Sequence, residues 1–303
     1  MSTMSRRRSV GPLCLEQTGT EPKTSRTTEP QSVMHSHQMS EPLTPVLQKP
    51  IVQVTLQILR QLRPHVAQAH IDSGKWNNFR ITCGQLDLSW KSENGGGFLR
   101  LITSEKMQHL ASQYGFNSLR DLHTDPRHPF PNSCAVAQHL NRHLFAIYQD
   151  GFLAQQSKWD CRHPDDWEAT KLRYFPGDEK WQVEYIMGVK DGRLPHVNCT
   201  LIEGEELKEN TLMFSEVWSI LMLTLNFLRH PQNEKYEVVP VTVITISATT
   251  FRVVQGFIDG KAGSVRIQKS GIVPIGPDKK TVKERIMLIV RWLLAEPVWP
   301  SKH

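Results

Sequence analysis

The chain has 303 residues, 39% hydrophobic and 22% charged, with a formal net charge of +6. That is the composition of a soluble globular protein, with enough apolar content for a sizeable core, which excludes collagen-like and wholly disordered classes. The five cysteines, Cys14, Cys83, Cys134, Cys161 and Cys199, are scattered without a CxxC pair, which excludes a disulfide framework and fits a reducing compartment.

Residues 1 to 45 are rich in Ser, Thr, Glu, Gln and Pro and lack aromatics. They cannot bury enough apolar surface to offset the entropy of ordering, so a disordered N-terminal tail is expected. It begins without the apolar core of a secretory signal. Arg6, Arg7, Arg8 and Ser9 form a basic cluster beside a hydroxyl. It reads either as an inert solvated stretch or as a site for a basophilic kinase or an importin.

A helix-hairpin-helix region is expected over 46 to 150. From Val52 to about Ile71 the apolar residues Val54, Ile58, Leu59 and Leu62 fall at helical spacing, with Pro64 ending or kinking the helix. A hairpin follows, with strands at Leu86 to Lys91 and Phe98 to Thr103 joined through Gly95, Gly96 and Gly97. The glycine run lacks the Lys-Ser/Thr pair and the following helix of a phosphate loop. Helices are predicted at Ser104 to Tyr114 and Ser133 to Gln149, on either side of a connection carrying Pro126, Pro129 and Pro131. His139 and His143 stand four apart on the second of these. They could share a metal, but the intervening Leu140, Asn141 and Arg142 offer no glutamate to activate water and no third ligand, so ordinary histidines beside an apolar stripe are expected.

Residues 151 to 178 read as a loop-rich connection. In WDCRHPDDW, the side chains of Cys161, His163, Asp165 and Asp166 are of metal-binding types, yet their spacing does not match a structural zinc site. A loop anchored by Trp159 and Trp167 is the plainer reading. No nucleophile elbow and no Cys/His catalytic signature is present.

From 179 to 303 an α+β core is expected: a mixed or antiparallel sheet packed against an apolar helix, closed by a C-terminal helix. Its strands are Trp181 to Val189, Val197 to Ile202, Val238 to Ser247, Phe251 to Ile258 and Ser264 to Gln268. The apolar run Leu212 to Leu228 is broken by Ser215, Glu216, Ser219, Thr224 and Asn226 and falls short of a membrane span, so a buried helix is expected there. A final helix is predicted at Thr281 to Ala295.

The order hairpin, helix, strand resembles the core of the PD-(D/E)XK nucleases. In that family an acid on one strand and an E-x-K or E-x-E pair on the next bind a divalent metal that activates water against a phosphodiester. The resemblance places Glu203 and Glu205 of LIEGEELKEN on the acidic pair, with Lys208 near the family lysine. Asp191 sits in the Asp191-Gly192 turn, about 30 Å from Glu203 along the strand. A two-residue turn instead pairs Glu203 with Lys180 and Glu205 with Asp178. The metal set under this reading is Asp178, Glu203 and Glu205, with Lys208 or Lys180 near the scissile phosphate. The same register supplies a plain alternative, a Glu203 to Lys180 cross-strand ion pair.

Residues 261 to 303 carry nine Lys/Arg against three Asp/Glu. Lys261, Arg266, Lys269, Lys279, Lys280 and Lys283 could contact phosphates or another anion, although no named nucleic-acid motif is present and a solvated basic face explains them equally. EGEELKEN, PVTVITI and FRVVQGFIDGKAGSVRIQKSG together resemble a broad group of filamentous-fungal proteins of uncharacterised activity, over about residues 196 to 295. The chain departs from that group at Ala248, Thr249, Thr250 and Phe251.

The expectation from sequence is an intracellular, cytoplasmic or nuclear protein, non-catalytic, without a cofactor, working through a protein partner or weak nucleic-acid contacts. A divergent metal-dependent nuclease is the alternative. The fungal resemblance adds a further one, an accessory role in a specialised-metabolite pathway.

Overall fold

The computed structural model describes residues 45–113, 129–149, 157–162, 173–174, 181–276 and 278–299. The expected tail lies outside them, apart from its last residue. The class is α+β: among the described residues one nine-stranded mixed sheet carries helices on both faces.

Helix α1 (Pro50–Leu62) starts on a proline at its first position, where the missing N–H is not needed. It ends at Leu62 rather than near Ile71, because Pro64 in the next turn cannot donate back into the helix. Strand β1 (His70–Asp72) follows, and then β2 (Ile81–Gln85), which the sequence reading did not predict. The predicted hairpin is displaced. Its arms are the short β3 (Asn94–Gly95) and β4 (Leu99–Arg100), because the Asn94 side chain accepts the Gly97 N–H at 2.7 Å and closes a tight turn inside the glycine run. Residues 86 to 91 are not a strand.

Helices α2 (Ser104–Gln113) and α3 (Pro129–Gln149) stand where expected, the second one turn longer at its start. The connection after them contains strands: β5 (Trp159–Arg162) and β6 (Arg173–Tyr174) both pair with β7 (Trp181–Val189). Trp159 is the anchor expected of it; its indole N–H donates to the Ala295 carbonyl at 2.7 Å. Cys161 lies on β5, and His163, Asp165, Asp166 and Trp167 lie outside the described residues.

β7 runs antiparallel to β8 (Val197–Glu203), and β8 lies parallel to β10 (Val241–Ser247). A parallel step needs a crossover. It is made by β9 (Thr211–Met213), which pairs with β1, and by α4 (Phe214–Leu228). All of α4 except Trp218 is buried, between the sheet and α1. Each large aliphatic side chain buried there contributes about 1.5–3 kcal/mol relative to exposure. From β10 the chain turns at Ala248, which has a left-handed φ of 48°, into β11 (Thr250–Asp259), then into β12 (Ser264–Lys269). β13 (Val273–Pro274) pairs with the start of β11, and β14 (Glu296–Pro297) with β4. Helix α5 (Lys279–Leu293) starts at Asp278, whose carboxylate accepts the N–H groups of Lys280 and Thr281, each at 3.0 Å.

The sheet order is β2-β12-β11-β10-β8-β7-β5. Alternate residues of each strand feed two cores. Val254 and Ile258 of β11 join α1 and α4, and Phe251 and Val253 join α2, α3 and α5. Among the described residues no helix is long and apolar enough to cross a membrane.

Candidate functional site

The acidic strand end is built differently from its sequence expectation. Strands β7 and β8 are joined by residues 190 to 196 rather than by a two-residue turn, and the ladder shifts between Val183 and Tyr185. Glu203 is therefore opposite Trp181, not Lys180. Lys180 and Asp178 lie outside the described residues.

Glu203 is 3% exposed. One carboxylate oxygen accepts the N–H groups of Gly204 and Glu205, at 3.0 and 3.3 Å, and the other accepts the Ser215 hydroxyl. Burial raises its pKa to about 8, against the lowering by those donors. Its carbonyl accepts the Ser133 hydroxyl at 2.9 Å, and Ser133 also accepts the Ala248 N–H at 2.6 Å. Glu205 lines the same small pocket, with Gln68 and Trp181, and its carbonyl accepts the Ser247 hydroxyl at 2.6 Å. The free volume there is about 10 Å³, room for about one water. Lys208 is exposed, and its carbonyl accepts from Thr211 at 3.1 Å and from Arg252 at 3.2 Å. The structure thus brings Glu203 and Glu205 together. Among the described residues no group of three or more His, Cys, Asp or Glu is placed to hold a metal ion. His139 is buried on α3, and the side chain of His143 lies outside the described residues.

Behind Glu203 lies a buried charge network that sequence reading missed. Arg252 donates to both oxygens of Glu216, at 2.7 and 2.5 Å, and to the Thr211 carbonyl at 2.9 Å. Glu216 also accepts the Thr245 hydroxyl and, reaching back over the first turn of α4, the Met213 N–H, each at 2.8 Å. The signals were a glutamate, the one charged residue, at the third position of a mostly apolar helix and an arginine inside an apolar strand.

The basic set does not form one surface. Lys261 sits in the β11–β12 turn. Arg266 points outward as expected, paired with Asp259 at 2.8 Å and lying over the Phe257 ring. Lys269 points the other way and is buried, its ammonium donating to the Glu209 carbonyl, because alternation along β12 puts it on the α4 side with Val265 and Ile267. Lys280 is exposed at the start of α5 and Lys283 is half-buried on it, while the side chain of Lys279 lies outside the described residues.

A wide concavity lies beside Arg266. It is an open cleft of about 1110 Å³ over the end of the sheet that carries β2, β12 and β11. Its floor is two ladder rows: Thr82, Arg266 and Phe257 in one, and Gly84, Gln268 and Gln255 in the next. Its far wall is the turn from Ser92 to Arg100, with Val298 and Trp299 at one end. Phe98 packs edge-on against Phe257 at 5.2 Å, and His196 lies between Phe98 and Trp299 at 6.2 and 6.4 Å. Burial lowers the His196 pKa to about 4, which keeps that aromatic wall uncharged at neutral pH. Trp299, the exposed large hydrophobic residue of the described chain, is 47% exposed. Gln255 is 2% exposed, donates to Thr242 at 3.1 Å, and has no partner for its side-chain oxygen among the described residues.

Compared with known proteins, the chain matches no family model and no curated protein sequence.

Proposed function

We propose that this chain is a binding protein rather than a bond-breaking enzyme, and that its ligand sits in the cleft between β2, β12 and the 92 to 100 turn. The cleft itself carries the reading: a wide opening with aromatic walls, a guanidinium and two side-chain amides on one floor is the composition of a recognition site. Cys83, Cys134 and Cys199 form no disulfide among the described residues, which fits a reducing compartment, and we place the activity in the cytoplasm or nucleus. The test is a ligand screen by protein-observed NMR, with pools of small polar aromatics and short peptides, on the wild type and on a Phe257→Ala, Arg266→Ala double variant. Hits that shift cleft resonances in the wild type and not in the variant support the reading. Hits unaffected by the double change place the ligand elsewhere and overturn it.

One observation favours the nuclease as a second reading. The β7–β8 hairpin, the α4 crossover and β10 parallel to β8 follow the order that suggested it, with Glu203 and Glu205 on one pocket. The three donors on the Glu203 carboxylate weigh against it, since a metal would have to displace them. Calorimetry with Mg²⁺ or Mn²⁺ on the wild type and a Glu203→Ala, Glu205→Ala variant decides: no heat, or heat untouched by the change, removes this reading.

A further inference from the structure

We infer that the cleft takes an extended peptide from another protein, which adds as a strand to the outer edge of β2; this deepens the binding reading and rests on it. β2 is the last strand of the sheet. Its inner side is fixed by Val265 donating to the Arg80 carbonyl and Leu86 donating to the Lys269 carbonyl, each at 2.9 Å. With the two-residue period of a strand, Thr82 and Gly84 also turn their backbone groups to β12, so those of Ile81, Cys83 and Gln85 point out from the sheet. Among the described residues those outward groups have no hydrogen-bond partner.

Sheet edges are ordinarily blunted by proline, lysine, a bulge or a covering segment. Ile81-Thr82-Cys83-Gly84-Gln85 has no proline and no charge, and it pairs with β12 in unbroken register over all five residues. Thr82, Gly84 and Gln85 are exposed. The cleft is lined by β2 from Thr82 to Gln85, so a chain paired to this edge drops every second side chain toward the cleft.

The cleft also decides the kind of occupant. A second copy of this chain, paired edge to edge, would bring its own Thr82 and Gly84 to that face, which fill little of about 1110 Å³. A heterologous peptide can bring larger side chains to that face, an aromatic or long aliphatic one toward the 92 to 100 turn and, two residues along, a polar one toward Gln268 and Arg266.

A displayed random-peptide library panned on the full chain tests this, followed by binding of the enriched peptides to the wild type and to Cys83→Pro. Proline at 83 removes one outward N–H and leaves the β12 ladder its bonds, and circular dichroism and thermal melting report whether the sheet is kept. Binding is expected to fall by about tenfold or more. In case Cys83→Pro does not fold, the enriched peptides are also N-methylated at each position in turn against the wild type. Loss at alternate positions is the expected signature of strand pairing. Peptides that compete with cleft ligands yet tolerate methylation evenly and bind Cys83→Pro as well as wild type would overturn strand addition and leave the cleft reading standing. An absence of enriched peptides overturns strand addition, and the separate ligand screen judges the cleft. A concentration-dependent dimer abolished by Cys83→Pro gives the edge to a second copy, which also overturns the proposal.

Discussion

Glu216 and Arg252 form a two-pronged ion pair in which neither side chain has any solvent exposure. The pair joins the first turn of α4 to the start of β11, and Arg252 continues to the carbonyls of Thr211 and Lys208. A buried pair gains from attraction and hydrogen bonds about what it loses in desolvation, but a single buried charge has only the loss. Glu216→Ala or Arg252→Ala is therefore expected to cost about 3–5 kcal/mol. Glu216→Leu with Arg252→Met is expected to be much closer to wild type than either single change. Urea unfolding of the four proteins measures this; single changes of under about 1 kcal/mol would mean water reaches the pair.

Glu203 makes stability depend on pH. Its folded pKa of about 8 lies above the usual 4.5, so the fold favours the protonated acid. The unfolded chain gives up that proton first as pH rises, so the contribution of Glu203 is fully present below about pH 4.5 and is lost as pH rises toward 8. Across that window the slope is at most about 1.4 kcal/mol per pH unit. Glu203→Gln keeps the acceptor for Gly204 and Glu205 and cannot ionise, so it should flatten the slope and be more stable than wild type at pH 8. Denaturation midpoints from pH 5 to 8 are the measurement, and parallel curves for wild type and Glu203→Gln would refute the assignment.

The legible parts of the sequence were those where one period dominated. β7, β8, β11 and β12 lie within a residue or two of their expected bounds, because alternating or continuous apolar runs leave one solution. The loss came where local chemistry and tertiary pairing compete. The Asp191-Gly192 pair reads as a two-residue turn, but the hairpin opens over residues 190 to 196, and one extra residue of register is enough to replace Lys180 by Trp181 opposite Glu203. β2 was missed because Thr82 and Gly84 weaken its pattern, and its pairing partner, β12, lies far along the chain. Glu203 and Glu205, read together as an acidic pair, line one small pocket. Glu216 was noted as an interruption of an apolar helix, and its partner Arg252 is on a strand separated from it by a crossover. The cleft has no signature in sequence at all, since its walls come from five separate stretches.

Arg291 ties the front of the chain to its last helix. The guanidinium of this fully buried residue on α5 donates to the carbonyls of Ile102 and Ser92, each at 2.6 Å, and of Ser89 at 3.2 Å, and lies over the Trp90 ring. These carbonyls belong to the segment that forms the far wall of the cleft or adjoins it. Arg291→Met removes all three donors and should cost about 2–4 kcal/mol. Arg291→Lys cannot span three carbonyls with one ammonium and should recover only part of that. Limited proteolysis is the more specific readout: cleavage between Ser89 and Ile102 should become faster in Arg291→Met. An unchanged cleavage pattern would show that the wall is held by its own turn.

Gly96 and Gly97 separate backbone strain from contact in that wall. Both have left-handed φ values, 70° and 85°, so alanine at either costs about 1–2 kcal/mol. Only Gly96 is pressed against the floor. A Cβ there would stand 2.0 Å from the side-chain oxygen of Gln255 and 2.8 Å from that of Gln268, whereas a Cβ on Gly97 would meet nothing within 4 Å. Gln268 is exposed and can swing aside, but Gln255 is buried and held by Thr242, so the wall must lift instead. Gly97→Ala is expected to show the backbone cost alone and to keep ligand binding in the cleft. Gly96→Ala should cost at least about 1 kcal/mol more and should also perturb the amide signals of Gln255 and Gln268. Equal unfolding midpoints for the two variants would mean that the turn does not rest on Gln255.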